Sequence, residues 1–294
     1  MSTPPAPQTR AILTMLAAVG LFALMDACMK QLSDHYPPFQ VAALRGAASL
    51  PLVLAWALAT AGWRPLVRVR WRLHLLRAVL GVGMMGTFIF ALHRMPISSA
   101  YTIFFIAPML ITALSVPFLH ESVGPRRWTA IVVGFVGVLV ALRPTGEGVA
   151  SIAGLAVLLA AFGYAISAIT VRVLARTDST QAMVVWLMLS LTLGAGAIAA
   201  SGWVPIQRAD LLLIAGVGVA GALGQYTITE AFRRGEASLI APLEYTALAW
   251  SLSLDFAVWG VLPDAMTWAG AAIIVASGLY LLRRERMHVE AEHP

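Results

Sequence analysis

Long apolar runs separated by short polar breaks dominate the chain. Runs close to the roughly 20 residues that cross a bilayer occur ten times, at 11–32, 38–61, 73–93, 97–119, 127–143, 151–174, 181–201, 209–232, 237–260 and 265–282. The breaks combine polar residues with helix breakers, as at Pro37-Pro38 and Pro144. Because these breaks are short, neighbouring helices are expected to run antiparallel. The pattern predicts an all-α integral membrane protein with ten transmembrane helices.

Composition supports lipid as the solvent of this chain. Hydrophobic residues make up 60% of it and charged residues 12%, whereas a soluble domain carries roughly 25% charged residues. The net charge of +6 does not indicate a nucleic-acid partner, because the basic residues form short clusters between apolar runs. The single cysteine, Cys28, excludes an internal disulfide and a Cys-based metal site. The polar start at 2–8 leads into a long apolar run, which predicts a retained helix and no cleaved signal peptide.

The basic residues also predict the orientation in the membrane. If ten helices cross the membrane in alternating directions, most basic residues lie on one side of the bilayer. These are Arg10, Arg64, Arg68, Arg70, Arg72, Arg126, Arg127, Arg172, Arg176, Arg233, Arg234, Arg283, Arg284 and Arg286. The opposite face carries only Lys30, Arg94, Arg143 and Arg208. Short basic loops stay in the cytoplasm, so both termini are predicted to be cytoplasmic.

The second half of the chain repeats the first. At a shift of 140 residues, identical residues recur at Gly81 and Gly221, Thr87 and Thr227, Ala91 and Ala231, Arg94 and Arg234, Ser98 and Ser238, and Trp128 and Trp268. In the earlier helices the shift is three residues larger, as for Ala18 and Ala161. We therefore divide the chain into a tail (1–10), a first five-helix repeat (11–144), a second (150–284) and a tail (285–294).

An odd number of helices in each repeat inverts the second copy relative to the first. Inverted repeats characterise secondary transporters, which bind their substrate near the bilayer midplane between the two halves. A duplicated scaffold without transport activity is the alternative.

Four charged residues within the predicted spans are the strongest functional candidates, because an ionised side chain at the membrane core costs on the order of 3 kcal/mol. They are Asp26, Arg45, Arg77 and Glu244. Their repeat positions hold Ile169, Met188, Val217 and Phe104, so none of these charges is duplicated. This asymmetry indicates that the four charges bind a ligand or a proton and do not serve to stabilise the fold.

Each of these charges has a structural alternative. Asp26 and Arg45 lie at similar distances from the outer ends of adjacent helices, so they are expected either to form an ion pair or to bind substrate. Glu244 is expected to bind an amine or cationic group of the substrate, a coupling proton, or each in turn. Its alternative role is as a structural partner of Arg77.

Aromatic residues within the spans suggest the lining of a cavity. Phe104 and Tyr245 flank the repeat-related positions where a cavity is expected, and Tyr164 also lies within a predicted helix. Such a lining suits a flat or cationic ligand. Pro108 falls in the middle of the fourth predicted helix, where the loss of one backbone hydrogen bond predicts a hinge.

The sequence has no motif that supports an enzyme. It lacks an HExxH pair, a GxxxxGK[ST] loop and a Ser-His pairing with an orienting acid, so we expect no cofactor and no metal. The histidines lie near predicted helix ends or in tails, where solvated side chains are expected. Glu121 and Glu230 lie beside arginines at cytoplasmic helix ends, which predicts interfacial ion pairs.

Several segments resemble the bacterial EamA-domain transporters of the drug/metabolite transporter superfamily. The closest resemblance lies in 241–248 (APLEYTAL) and continues to Gly278; in the first half, 22–26 (FALMD), Lys30, Arg45, Pro108 and Glu121 are similar to the same family. The resemblance covers essentially the whole chain and implies two inverted five-helix repeats around a central cavity. One departure is that Gly260-Val261 stands where such repeats often carry Gly-Glu, so Glu121 has no equivalent in the second repeat.

These features together predict a secondary active transporter of the bacterial inner membrane, multi-pass and either monomeric or homodimeric. It is expected to carry a small metabolite, such as an amino acid, nucleoside, vitamin or related amine-containing compound, by proton- or gradient-coupled alternating access. A membrane-embedded structural or enzymatic subunit is the alternative function.

Overall fold

Helices account for the regular structure in the part of the chain that can be described. The computed structural model describes residues 7–92, 103–142 and 152–259, with scattered positions between 265 and 280. We number its main helices α1 (Pro7–Leu32), α2 (Pro38–Ala61), α3 (Trp71–Leu92), α4 (Ala107–Leu119), α5 (Pro125–Leu142), α6 (Ile152–Leu174), α7 (Thr180–Ser190), α8 (Leu211–Arg234) and α9 (Ala247–Trp259). A one-turn helix, Arg64–Val67, lies in the basic loop between α2 and α3.

Six of the described helices are long and apolar enough to cross a membrane. They cover Gln8–Leu32, Pro38–Ala61, Trp71–Ala91, Ile152–Leu174, Thr180–Gly202 and Arg208–Arg234, and Ala107–Leu119 is a shorter apolar helix. The described part of the first helix covers Pro7–Leu32 and so includes four residues before the apolar run predicted from residue 11. The predicted tenth span, 265–282, and the predicted tail, 285–294, lie wholly or mostly outside the described residues.

Large apolar side chains cover the outer surface of the helices. Leu212 is 83% exposed and Ile152 is 76% exposed. Such exposure on consecutive long helices is unfavourable in water and favourable against lipid tails. The outer surface of the helices is therefore suited to contact with lipid.

The largest helix–helix interfaces join the two halves of the chain. Helix α1 packs along α8, and α3 packs along α6. These two pairs correspond to each other under the sequence repeat. One buried cluster includes residues of α1, α4, α6, α8 and the segment before α9, and a second is formed mainly by α2, α3 and α7.

Within the described ranges, three spans depart from regular α-helix. Residues Phe105 and Ile106 form a turn just before α4, α7 continues as a π-helix over Leu191–Ala195, and a 3₁₀ segment, Ala241–Thr246, links the short helix Ala237–Ile240 to α9. The predicted ninth span is thus discontinuous and not a single helix. Pro242 explains this locally, since it cannot donate the hydrogen bond that would continue the short helix.

Candidate functional site

Glu244 lies inside the discontinuous part of the ninth span. The 3₁₀ segment that carries it packs against α1, α4 and α5, and the residue is only 9% exposed. One carboxylate oxygen, Oε1, accepts a hydrogen bond of 2.8 Å from the hydroxyl of Tyr164 on α6. A buried carboxylate with a hydroxyl as its polar contact, and no ion pair with a described residue, retains most of its capacity to bind a cation, a donor group or a proton.

Three aromatic rings form a row that ends at this carboxylate, which we call the aromatic row. The ring of Phe88 on α3 lies 5.3 Å from that of Phe104, and Phe104 lies 5.6 Å from Tyr164, measured between ring centroids. All three side chains are only half-buried. The aromatic row therefore brings two predicted site residues, Phe104 and Tyr164, together with Glu244, and adds Phe88, which the sequence reasoning missed.

Tyr245 lies next to Glu244 in the chain but belongs to a different contact. Its ring lies 5.8 Å from that of Phe105 and presses against α5, where a Cβ atom at Gly134 would stand 2.7 Å from Tyr245 Cδ2. Its hydroxyl is buried and has no hydrogen-bond partner among the described residues. Glycine at 134 is thus required for this close packing.

Arg45 on α2 is buried at a separate position. Its Nη2 atom lies 3.5 Å from Gln225 Oε1 on α8, its Nη1 atom lies 3.7 Å from Met85 Sδ on α3, and its guanidinium carbon lies 5.5 Å from the centre of the Phe22 ring. The half-buried Asp26 acts favourably on it through its charge. The structure also places Gln225, which the sequence reasoning missed, beside Arg45.

Arg77 and Glu244 do not form an ion pair. Arg77 on α3 is 2% exposed, and its Nη1 atom donates 3.0 Å to the backbone carbonyl of Met183, whereas Glu244 accepts from Tyr164. The structural partnership considered from sequence is therefore absent. Arg77 is anchored to α7 instead, apart from the aromatic row.

Pro108 is the second residue of α4 and follows directly on the turn at Phe105 and Ile106. The backbone N–H of Ile106 bonds to the carbonyl of Ile103, three residues back, at 3.2 Å. The proline therefore lies beside a break in the span and not within a continuous helix. This break is close to Phe104, in the same part of the first repeat as the 3₁₀ segment in the second.

A buried His–Asp contact escaped the sequence reasoning. The Nε2 atom of His74 lies 2.9 Å from Oδ2 of Asp178, which also accepts from the backbone N–H of Arg70 at 3.0 Å. Burial alone raises the pKa of Asp178, but hydrogen bonds from Thr177, Arg70 and His74 outweigh it and hold this pKa below its ordinary value. The expectation of a solvated His74 was wrong, because the carboxylate in the loop before α7 provides it with a buried partner.

The opposite end of the fold has a related contact. Asp210, just before α8, lies 3.1 Å from His35 Nδ1 and accepts a 2.6 Å hydrogen bond from the Tyr36 hydroxyl. His35 and Asp178 are separated by 143 residues, the same shift that relates Ala18 to Ala161. Each repeat thus places a His–Asp contact where its first loop meets a helix of the other repeat. Asp178 stands at the repeat position of His35, but His74 and Asp210 are not at equivalent positions, so a search for identical residues misses the relation.

The acids at the predicted cytoplasmic helix ends are paired. Glu230 forms ion pairs with Arg233 and Arg234, which confirms the ion pairing predicted for it. Glu121 accepts from the backbone N–H of Ala237 at 2.8 Å and lies 3.6 Å from Arg172. Glu121 thus links the end of α4 to the short helix that precedes the 3₁₀ segment.

Known proteins resemble this chain over nearly its whole length. The model of the EamA-like transporter family matches residues 9–143 and again 151–283. A riboflavin transporter from Vibrio cholerae is 31% identical over 93% of each chain, and an S-adenosylmethionine uptake transporter from Rickettsia conorii is 27% identical over 96% of this chain and 98% of that one. A crystal structure with 20% identity shares the fold, with a TM-score of 0.82 over 92% of this chain and 96% of that one.

These similarities settle the broad class of the protein. Both named relatives are transporters, the family occurs twice along the chain, and six described helices are long and apolar enough to cross a membrane. The protein is a multi-pass protein of the bacterial inner membrane. The chain belongs to the EamA-like transporter family of the drug/metabolite transporter superfamily.

Proposed function

We propose that this protein is a secondary active transporter in which Glu244 is the central polar residue of the substrate site. Glu244 binds an amine or other donor group of the substrate, a coupling proton, or each in turn. The aromatic row of Phe88, Phe104 and Tyr164 holds a flat ring beside it. Tyr245 follows Glu244 directly in the chain, and Asp26 acts on Arg45 at a separate position. The transported compound is a small metabolite, such as a vitamin, nucleoside or amino acid.

The observation that carries this proposal is the contact between the Tyr164 hydroxyl and the buried Glu244 carboxylate, at 2.8 Å. The contact lies at a break in the ninth span, and the corresponding region of the first repeat is broken at Phe105 and Ile106. Paired discontinuous helices in corresponding positions are the usual location of substrate sites in transporters built from repeats. A carboxylate next to aromatic faces suits a ring that carries a donor or cationic group.

The proposed topology has ten membrane spans, with both termini in the cytoplasm and the second repeat inverted relative to the first. Alternating access then results from exchange of the conformations of the two repeats around a shared site. The packing of α1 with α8 and of α3 with α6 supports this arrangement, because each pair takes one helix from either repeat. Pro108 and the neighbouring turn provide the hinge.

The relatives support a ring-bearing substrate. Riboflavin and S-adenosylmethionine, named for two of them, both contain a flat heteroaromatic ring together with polar groups. The three rings of the aromatic row pack on each other and are only half-buried, and an aromatic ring of a substrate stacks favourably on such faces. A heteroaromatic vitamin or nucleoside is therefore the favoured substrate class.

The proposal is tested by flux of a panel of amino acids, nucleosides and vitamins into liposomes that contain the purified protein. The expected result is saturable flux of a ring-bearing member, accelerated by a proton gradient. Glu244→Gln, which keeps the shape and removes ionisation, should fold and insert normally but lose proton-coupled flux. Counterflow exchange survives in this variant if the carboxylate serves only the proton.

Two variants make the result specific to the site. Tyr164→Phe retains the ring and removes only the donor to Glu244, so flux is expected to fall less than in Glu244→Gln. Glu236→Gln alters a carboxylate paired with Arg127 outside the aromatic row and should leave flux close to that of the wild type. Unchanged rate and pH dependence in Glu244→Gln would refute the role of Glu244 and make Asp26 the next candidate. Absence of flux for the whole panel would refute the transport function for these compounds.

A further inference from the structure

Arg45 is a buried guanidinium whose contacts are long and weak. Arg45 is only 7% exposed. The described contacts of its N–H donors are the thioether sulfur of Met85 at 3.7 Å and the amide oxygen of Gln225 at 3.5 Å. Its Nε–H has no hydrogen-bond partner among the described residues. A guanidinium has five donors in a planar fork and binds best to two acceptors in one plane, so much of its binding capacity is unused.

Arg77 provides an internal comparison. It is also buried, and its Nε–H likewise lacks a partner among the described residues, but its Nη1 atom donates a 3.0 Å hydrogen bond to a backbone carbonyl, which anchors it to α7. Arg45 has no comparably short hydrogen bond. The nearby charge of Asp26 offsets part of the cost of burying the guanidinium, but it does not provide a partner for the Nε–H donor.

The position of Arg45 relates it to the aromatic row. Its neighbour Met85 lies three residues before Phe88 on α3, so the two side chains share a helix face. Phe88 begins the aromatic row, which ends at the Tyr164–Glu244 contact. Arg45 and Glu244 are therefore associated with opposite ends of the same row, one offering donors and the other a carboxylate.

We infer that Arg45 binds a planar pair of hydrogen-bond acceptors on the substrate, either a carboxylate or the adjacent acceptor atoms of a ring edge. The inference rests on the proposed transport site and narrows its substrate class. The substrate then has a flat ring that lies along the aromatic row, an acceptor pair at the Arg45 end and a donor group at the Glu244 end. Gln225 holds one edge of the guanidinium, and Phe22 lies against its face.

Matched ligand pairs test this inference in the purified full-length protein. Alloxazine and phenazine are both flat tricyclic compounds, but only alloxazine has ring carbonyls, and tryptophan differs from tryptamine by its carboxylate. We expect at least one acceptor-bearing compound to bind more tightly than its mate, measured as Kd from thermal stabilisation. Arg45→Lys keeps the positive charge but removes the planar guanidinium. It should raise the Kd of the acceptor-bearing compound at least tenfold and leave the Kd of the compound without acceptors unchanged.

Arg126→Lys, at an exposed position at the start of α5, is the matched control and should alter neither Kd. The inference is overturned if neither acceptor-bearing compound binds better than its mate, including the case in which none binds. It is equally overturned if Arg45→Lys binds the acceptor-bearing compound as tightly as the wild type. Either result leaves the proposed transport function standing, because that function is decided separately by flux in liposomes and by Glu244→Gln.

Discussion

The rings of Phe105 and Tyr245 lie against each other with centroids 5.8 Å apart, although 140 residues separate them in the chain. This separation equals the shift that relates the two repeats, so the two residues occupy equivalent positions. Equivalent positions of two repeats meet only where the repeats face each other. The contact therefore brings the two helix breaks, at Phe105–Ile106 and at Ala241–Thr246, to the interface between the repeats.

Removal of the Tyr245 hydroxyl is expected to stabilise the protein. The hydroxyl is buried without a partner among the described residues, and an unsatisfied buried polar group costs roughly 1–3 kcal/mol. Tyr245→Phe retains the ring contact with Phe105 and should raise the melting temperature in detergent. Tyr36→Phe is the control with the opposite sign, because the Tyr36 hydroxyl donates to Asp210 and accepts from the N–H of Gln207. A lower melting temperature for Tyr245→Phe would mean that the hydroxyl has a bound partner.

The Asp178 carboxylate is expected to make stability depend on acid pH. Because folding holds its pKa below the ordinary value, the carboxylate stabilises the fold at pH values above the unfolded-state pKa of about 3.9. This contribution is lost as the pH falls through the lower folded-state pKa. Thermal unfolding followed from about pH 6 down to about pH 2 should therefore show a steeper loss of stability for the wild type than for Asp178→Asn.

Asp178→Asn is also expected to destabilise the protein at neutral pH. The carboxylate accepts from Thr177, Arg70 and His74, and an amide cannot accept from all three donors, so the loss is roughly 1–3 kcal/mol. Asp34→Asn, in the exposed loop after α1, is the control and should behave like the wild type. Parallel pH profiles for Asp178→Asn and the wild type would contradict the assignment.

Most of the helical organisation could be predicted from the sequence, because span length and apolar periodicity are local properties of a membrane helix. The ends of α2 and α6 fall within one or two residues of the predicted spans. The discontinuity of the ninth span was missed, even though Pro242 was visible, because a proline early in a span is compatible with both a continuous and a broken helix. The 3₁₀ segment packs against α1, α4 and α5, and these contacts between distant parts of the chain determine that the helix is broken.

The residues of the candidate site could be predicted from the sequence, but the contacts between their side chains could not. Charges within apolar runs identified Glu244 and Arg45 as candidates, since such residues are costly in lipid. Their actual contacts, Tyr164 for one and Gln225 for the other, depend on how α6 and α8 rotate about their axes. His74 and Asp178, separated by 104 residues, pair for the same reason, and no local pattern reports that contact.

The close approach of α2 to α7 makes Gly46 sensitive to substitution. A Cβ atom there would stand 2.7 Å from the backbone nitrogen of Thr192 and 3.0 Å from the carbonyl oxygen of Met188. Backbone atoms of the π-helical turn cannot yield easily, so Gly46→Ala should destabilise the protein by about 1–3 kcal/mol. Gly83→Ala meets nothing within 4 Å and should be neutral or slightly stabilising. Equal melting temperatures for the two variants would show that α2 and α7 are less closely packed.

The proposed topology predicts the location of fused reporters. A reporter fused after Arg70 or after Arg284 is expected in the cytoplasm, and one fused after Thr145 is expected in the periplasm, because basic loops are retained inside. Alkaline phosphatase and green fluorescent protein fusions distinguish the two compartments. A periplasmic signal from the Arg70 fusion would contradict the arrangement of the two repeats.

Asp26 and Arg45 are expected to be coupled in stability. Removal of one partner of a fully buried ion pair costs roughly 3–5 kcal/mol; Asp26 is only half-buried, so each of Asp26→Asn and Arg45→Gln should cost less than this. The double variant should be milder than the two single changes added together, because no charge then remains without its partner. Unfolding of all four forms in detergent measures this coupling. If the double variant loses the sum of the two single losses, the two charges act independently, and Asp26 does not hold Arg45 in position for an acceptor-bearing substrate.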